Sequence, residues 1–214
     1  MNAMSNDCRI RVKEKNLLSD QWATLERVRF DYQRNDGSWQ EQVREIYHRG
    51  HGAAILLYNK VNGSVILVRQ FRYPVFAVEN VDRDSSALAG SGFLLEVPAG
   101  ILEEDDAVAT IRAEVEQETG YHIGSPEFLF AAYVSPGSVT ERIHYFVAPY
   151  DSSGRIGTGG GLADEGEDIE VLEMPFDEAL SAIADGRIQD AKTIVLLQHA
   201  ALRIFVGSGG NWPL

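Results

Sequence analysis

PAGILEEDDAVATIRAEVEQETGY, residues 98–121, is the stretch on which the reading of this chain turns. It opens on Pro98 and Gly100, becomes acidic, and then carries a helical pattern that stops at Gly120. At about 100° per residue, positions 111, 114, 115 and 118 share one helix face. Ile111 and Val115 suit a buried stripe, whereas Glu114 and Glu118 do not. A like-charged i,i+4 pair costs a few tenths of a kcal/mol on an exposed helix. It costs more on an inward face, because a buried carboxylate must be paired or bind a metal. The helix contains no Lys, and its one Arg, Arg112, lies about 100° away from Ile111. Two readings follow. Either the helix end rotates both carboxylates into solvent, or the pair holds a hard divalent cation such as Mg²⁺ or Mn²⁺, which takes oxygen ligands.

The flanking sequence supplies a sheet for this helix. AAILLYN (53–59) and SVILVRQFR (64–72) surround the turn Val61-Asn62-Gly63 and read as a buried hairpin. FLLEVPAG (93–100) is a short apolar strand, and FRYPVFAVENVDRDSSALAGSG (71–92) before it reads as a long loop. FLFAAYVS (128–135), ERIHYFVAPY (141–150) and IEVLEMP (169–175) read as strands. FDEALSAIADG (176–186) and DAKTIVLLQHAALRIFVG (190–207) read as helices. DSSGRIGTGGGLADEGED (151–168) is a Gly-rich acidic loop of the kind that is often mobile and functional. Upstream, TLERVRFDYQR (24–34) alternates in the manner of a half-buried strand, with NDG (35–37) as a turn and WQEQVREIY (39–47) returning. This first unit has too little core to stand alone. Strands and helices interleave irregularly, so the expected class is α+β or mixed α/β. The expected division is an N-terminal β subdomain over residues 1–50, a main domain over 51–206, and a flexible tail over 207–214.

Bulk properties narrow the function. The chain has 214 residues, 44% of them apolar, and a formal charge of −13. That charge argues against a general nucleic-acid binder and against docking on anionic membranes. No apolar run reaches the roughly 20 residues of a membrane span, and the N-terminus lacks the apolar core of a secretory signal. The single cysteine, Cys8, allows no intrachain disulfide. The expected compartment is the cytoplasm. The five histidines show no metal-ligating spacing, and Ser138 and Thr140 have no evident His/Asp partners for nucleophilic catalysis. The acidic loop lacks the regular ligand spacing of a calcium-binding EF-hand.

Residues 100–121 resemble the signature box of the Nudix hydrolases, with Glu114, Val115, Glu118, Gly120 and Tyr121 at matching positions. Ala113 stands where that family has Arg, Gln117 replaces the first Glu of a Glu-Glu pair, and the Gly100-to-Gly120 spacing is one residue short. LLSDQWATL, REIYHRGHGAAILLYN, RQFR, YVSPGSVTE, GGGLADEGEDIEVLEMPF and DAKT extend the resemblance, over about residues 16 to 200, to the GDP-mannose hydrolase branch. The resemblance implies an α/β/α sandwich on a mixed sheet, with the small N-terminal antiparallel domain exchanged in a homodimer. It implies metal-dependent hydrolysis of a nucleotide sugar, GDP-mannose giving GMP and mannose 1-phosphate. The implied metal ligands are Glu114, Glu118, Glu167 and the Ala99 carbonyl, with Glu114, Glu118 and Glu167 also catalytic. The implied substrate contacts are Trp22, Val43, Arg44, Glu45, Arg72, Glu141 and Lys192. Trp22 and Lys192 also admit plain structural roles, as a core Trp and an ordinary helix N-terminal Lys. The rival activities are an ADP-ribose or ADP-sugar pyrophosphatase and, in another class, a Nudix-like module that binds a nucleotide without cleaving it.

Overall fold

The protein is described by a computed structural model covering residues 8–80, 91–102 and 106–206. The tail over 207–214 and the middle of the expected loop over 71–92 lie outside the described residues. The described residues fall into two compact units, one drawn from 8–51 with 132–143 and the other from 52–131 with 144–206.

The first unit is built on an antiparallel sheet of β1 (Ile10–Asp20), β2 (Thr24–Gln33) and β3 (Trp39–His48), in that order. Strand β1 was not anticipated. Its segment IRVKEKNLLSD alternates poorly, and it exists because β2 offers it a ladder from Ile10↔Tyr32 to Asp20↔Thr24. Within residues 8–51 only Val28 is buried, while Ile10, Val12, Leu17, Leu18 and Val43 are exposed. The main chain of Tyr47 also exchanges hydrogen bonds with Ser138 and Thr140.

The second unit carries a mixed seven-stranded sheet with helices, an α+β arrangement. Strands β4 (Gly52–Asn59) and β5 (Ser64–Phe71) form the expected hairpin, but they pair only between Leu57–Asn59 and Ser64–Ile66. Beyond that they splay. The gap is filled by β6 (Phe93–Glu96) on β5 and β7 (Ala99–Ile101) on β4. One apolar strand expected over 93–100 is therefore two, and Pro98, which has no N–H to give a ladder, lies between them. The sheet continues with β8 (Glu127–Tyr133), β9 (Arg142–Pro149) and β10 (Glu170–Pro175), in the order β10-β5-β4-β9-β8.

The loop expected over 71–92 needs correction, because it contains a short helix, α1 (Tyr73–Glu79). Pro74 in its first turn supplies a preset φ and lacks an N–H that would be unpaired there anyway. Helix α2 (Ala107–Glu114) starts at Asp106, whose carboxylate accepts from the Val108 and Ala109 N–H groups. Such a cap contributes about 1 kcal/mol. Helices α3 (Phe176–Ala184) and α4 (Ala191–Arg203) follow the sequence pattern. Strand β4 is buried on both faces. Ala53, Ile55 and Leu57 pack with Ile111 and Val115 of the α2 segment. The alternate residues Ala54 and Leu56 are equally inaccessible on the other face, and α4 also packs on β4. Helices on both sides of the split hairpin give the expected layered sandwich.

Candidate active site

The split in the hairpin and the end of α2 meet. Helix α2 does not run on as a regular helix to Gly120. From Val115 to Thr119 it widens into a π-helical segment, ending at Gly120 with a left-handed φ of 72°. Extra residues per turn bring Val115, Glu118 and Thr119 all inside. Single π turns of this kind frequently mark functional sites. Glu118 is only 2% exposed and accepts a hydrogen bond from the Ala99 N–H at 3.2 Å. Glu114 is half-buried against β7, where a Cβ added to Gly100 would fall 1.7 Å from its Oε1. Both carboxylates therefore face inward, and the solvent-rotated alternative is excluded. Glu116 lies outward, paired with His122 at 2.6 Å, and the Gln117 side chain is exposed.

The Gly-rich loop does not stand free of this segment. The Gly160 and Gly161 N–H groups donate to the Glu118 and Gln117 carbonyls at 2.9 and 3.0 Å, and Ile156 and Gly157 donate to Gly120. Gly159 has φ of 69°, and a Cβ there would sit 2.4 Å from the Glu118 carbonyl oxygen. Only glycine permits that approach. The strap carries Glu167 to the cluster, with its Oε2 accepting from the Leu162 N–H at 2.9 Å.

The electrostatics of Glu118 are those of an incomplete site. Burial pushes its carboxyl well above the ordinary range, and the charges of Glu114 and Glu167 push it further. The Ala99 N–H and the Arg72 charge oppose the rise. Buried, mutually repelling carboxylates call for a cation. An all-oxygen donor set suits a hard divalent ion. Among the described residues no three His, Cys, Asp or Glu side chains form a closed ligand set. The donors fit such an ion in chemistry and charge.

A second cluster lies beside the first. Glu96, the last residue of β6, is 2% exposed. Arg72 grips it from the side, Nε to Oε1 at 2.7 Å and Nη2 to Oε2 at 3.2 Å. The Lys192 ammonium donates to Glu96 Oε2 and, at 2.9 Å, to Asp190. Burial raises the Glu96 carboxyl, but Lys192 and Arg72 outweigh it and hold the group below its ordinary value. Lys192 is thus no ordinary surface lysine. Glu96 and Asp190 were not among the sequence candidates. The available signal was a lone carboxylate inside the apolar run FLLEVPAG, which needs a partner wherever that run is buried.

The remaining candidates fall in the first unit. Glu141 is 8% exposed, 3.5 Å from the Arg49 guanidinium. Trp22 is 70% exposed with the Arg49 guanidinium 5.4 Å from its ring, so it is not a core residue. Val43, Arg44 and Glu45 lie on β3 with exposed side chains. The structure brings Ala99, Glu114, Glu118, Glu167, Arg72 and Lys192 together within the second unit.

Comparison with known proteins is decisive about kinship. Residues 48–197 match the NUDIX domain. The chain belongs to the Nudix family. It is a Nudix pyrophosphohydrolase. Residues 9–47 match the GDP-mannose pyrophosphatase NudK N-terminal domain. The GDP-mannose pyrophosphatase of Pectobacterium atrosepticum is 50% identical over 200 residues, covering 94% of this chain and 98% of that protein. Those of Cronobacter sakazakii and Yersinia enterocolitica are 46% and 47% identical, covering 90% and 87% of this chain and 94% and 92% of theirs. No helix among the described residues is long and apolar enough to cross a membrane.

Proposed function

We propose that this Nudix enzyme hydrolyses the pyrophosphate of a nucleoside diphosphate sugar in a metal-dependent reaction, with GDP-mannose giving GMP and mannose 1-phosphate. The observation that carries this reading is the pairing of two clusters, buried Glu118 beside Glu114 and Glu167, and Arg72 beside Lys192. The names of the relatives point to the same substrate.

Glu114, Glu118 and the Ala99 carbonyl would hold Mg²⁺ or Mn²⁺, joined by Glu167. Held there, such an ion would supply neutralisation of the diphosphate and a water of lowered pKa. Glu167, held by the Leu162 N–H at the end of the glycine strap, would orient the attacking water. Arg72 and Lys192 would bind the phosphate oxygens, Arg72 through a planar fork suited to them.

Trp22, Val43, Arg44, Glu45 and Glu141 would contact the nucleotide or sugar, with β3 reaching the site of a second copy in a homodimer. The exposed apolar residues of β1 and β3 support such an assembly. Trp22 offers a free aromatic face for a base. We assign the enzyme to the cytoplasm, with no nucleic-acid or membrane partner.

A panel of GDP-mannose, ADP-ribose and other nucleotide sugars with Mg²⁺, read by phosphate release after phosphatase coupling, tests the substrate. GDP-mannose should lead. Equal rates on ADP-ribose would place the enzyme with the ADP-sugar pyrophosphatases. Absence of all turnover at millimolar Mg²⁺ and Mn²⁺, with binding retained, would make it a binding module. Light scattering should give twice the chain mass.

A further inference from the structure

The Glu96 cluster is a chain of contacts anchored in the backbone. The Val97 N–H donates to Thr193 Oγ at 2.8 Å, and that hydroxyl donates to Asp190 Oδ2 at 2.7 Å. Asp190 also caps α4, accepting the Thr193 N–H at 2.9 Å, and its other oxygen takes Lys192. Lys192 and Arg72 then close on Glu96. Thr193 is inaccessible and Glu96 nearly so, so the link from β6 to α4 has little freedom.

We propose that Glu96 is a positioning residue, which holds Arg72 and Lys192 side by side as a preset pair of donors for one diphosphate. Two lysine-length or arginine-length side chains lose much rotamer freedom when a ligand orders them. Here a buried carboxylate orders both beforehand. The grip consumes Nε and one Nη2 hydrogen of Arg72. Nη1 has no partner among the described residues, and the Arg72 side chain remains 38% exposed. The two carboxylates also offset the two cations, so the donors stand together without mutual repulsion.

The inference rests on the phosphate-binding role given to Arg72 and Lys192 above, and its test separates the two. Glu96→Gln keeps the shape but removes the charge. Its KM for GDP-mannose should rise about tenfold or more with kcat within about threefold, the signature of lost uniform binding. In an Arg72→Ala/Lys192→Ala background the same substitution should change KM less than about twofold, because coupled residues are non-additive. A fall in kcat at constant KM, or full additivity, would overturn the proposal by making Glu96 merely structural. Should Glu96→Gln fail to fold, Asp190→Asn decides, since it keeps the cap acceptor but removes one charge from Lys192. It should raise KM, and an unchanged KM overturns the proposal. If the wild type cleaves no nucleotide sugar, the reaction assignment fails, and calorimetry with GDP reads this inference instead. Glu96→Gln or Asp190→Asn should then bind GDP about tenfold more weakly, whereas equal affinity, or a wild type that binds no GDP, refutes it.

Discussion

Around Glu96, two cations meet two carboxylates in a nearly closed set of hydrogen bonds. Around Glu118, two further carboxylates raise its pKa, and a backbone N–H and the more distant Arg72 charge are the opposing influences. Both central carboxylates are 2% exposed, so burial is matched and the neighbours make the difference. Glu96 is held below its ordinary pKa and Glu118 well above it. One cluster is finished by the chain itself, and its strength is geometric. The other is left electrostatically open, as the proposed cation site requires. Folding carries the cost of that opening, and the proposed metal chemistry would use it.

Replacing Glu118 by Gln breaks the contrast most completely. Several kcal/mol of transition-state charge stabilisation depend on a bound metal. Loss of a central ligand should therefore lower kcat/KM on the order of 10³-fold. The same change should stabilise the metal-free protein. The Glu118 carboxyl has a folded pKa above its unfolded value of 4.5, so the folded state holds its proton longer. Stability from this group is present below pH 4.5 and is lost as pH rises toward the raised value. At neutral pH the amide removes that loss. Calorimetry in a chelator should show Tm higher by roughly 2–4 °C, the shift of about 1 kcal/mol in a chain of this size. An unchanged Tm would mean that Glu118 is already compensated without metal.

Gly100→Ala attacks the open cluster through its backbone. The new Cβ would sit 1.7 Å from Glu114 Oε1, so the Glu114 carboxylate must leave its place beside β7. Displacing one ligand while Glu118 stays should cost about 10–100-fold in activity, in the range of disturbed metal shells. Stability should change little, by about 0.5 kcal/mol or less, because the displaced group is the far end of a flexible, half-buried side chain. Steady-state kinetics at saturating and limiting Mg²⁺ check it. A variant with normal metal dependence would show that Glu114 is not a ligand.

The acid limb separates the clusters by sign. Glu96 has a folded pKa below 4.5, so its stabilisation is complete above that pH and is lost as pH falls through the lowered value. Glu96→Gln should therefore flatten the decline of Tm as pH falls below 4.5, whereas Glu118→Gln should act above pH 4.5. Melting curves of both variants across both ranges distinguish them.

What could be read beforehand follows the same physical lines. The inward placement of Glu114 and Glu118 was legible because periodicity and burial are local properties of a helix. The π-helical segment was not, since residues 115–119 carry no Gly or Pro to announce it and its packing against the glycine strap is tertiary. The hairpin of β4 and β5 was legible from two apolar runs around Asn62-Gly63. Its splaying, and the wedge of β6 and β7 that places Glu96 and Ala99, depend on pairings remote in sequence. Glu96 itself was visible as a misfit in an apolar run, but its partners lie 24 and 96 residues away.

Gln117→Glu should have the smallest effect, although in sequence it restores the charge that the Nudix box carries there. The deciding fact is orientation. Gln117 is adjacent to Glu118 on the π-helical segment, yet its side chain is exposed while Glu118 is buried. Its structural contribution is through the main chain, where its carbonyl accepts from the Gly161 N–H at 3.0 Å, and a Glu keeps that bond. An added surface charge normally changes stability by about 0.5 kcal/mol or less. Screening by solvent limits its pull on a buried cation. Turnover should stay within about threefold of the parent, measured with GDP-mannose across a Mg²⁺ titration. A tenfold gain at low Mg²⁺ would mean that position 117 turns inward when the site is charged with metal, and the boundary drawn here between the two faces of the segment would have to move.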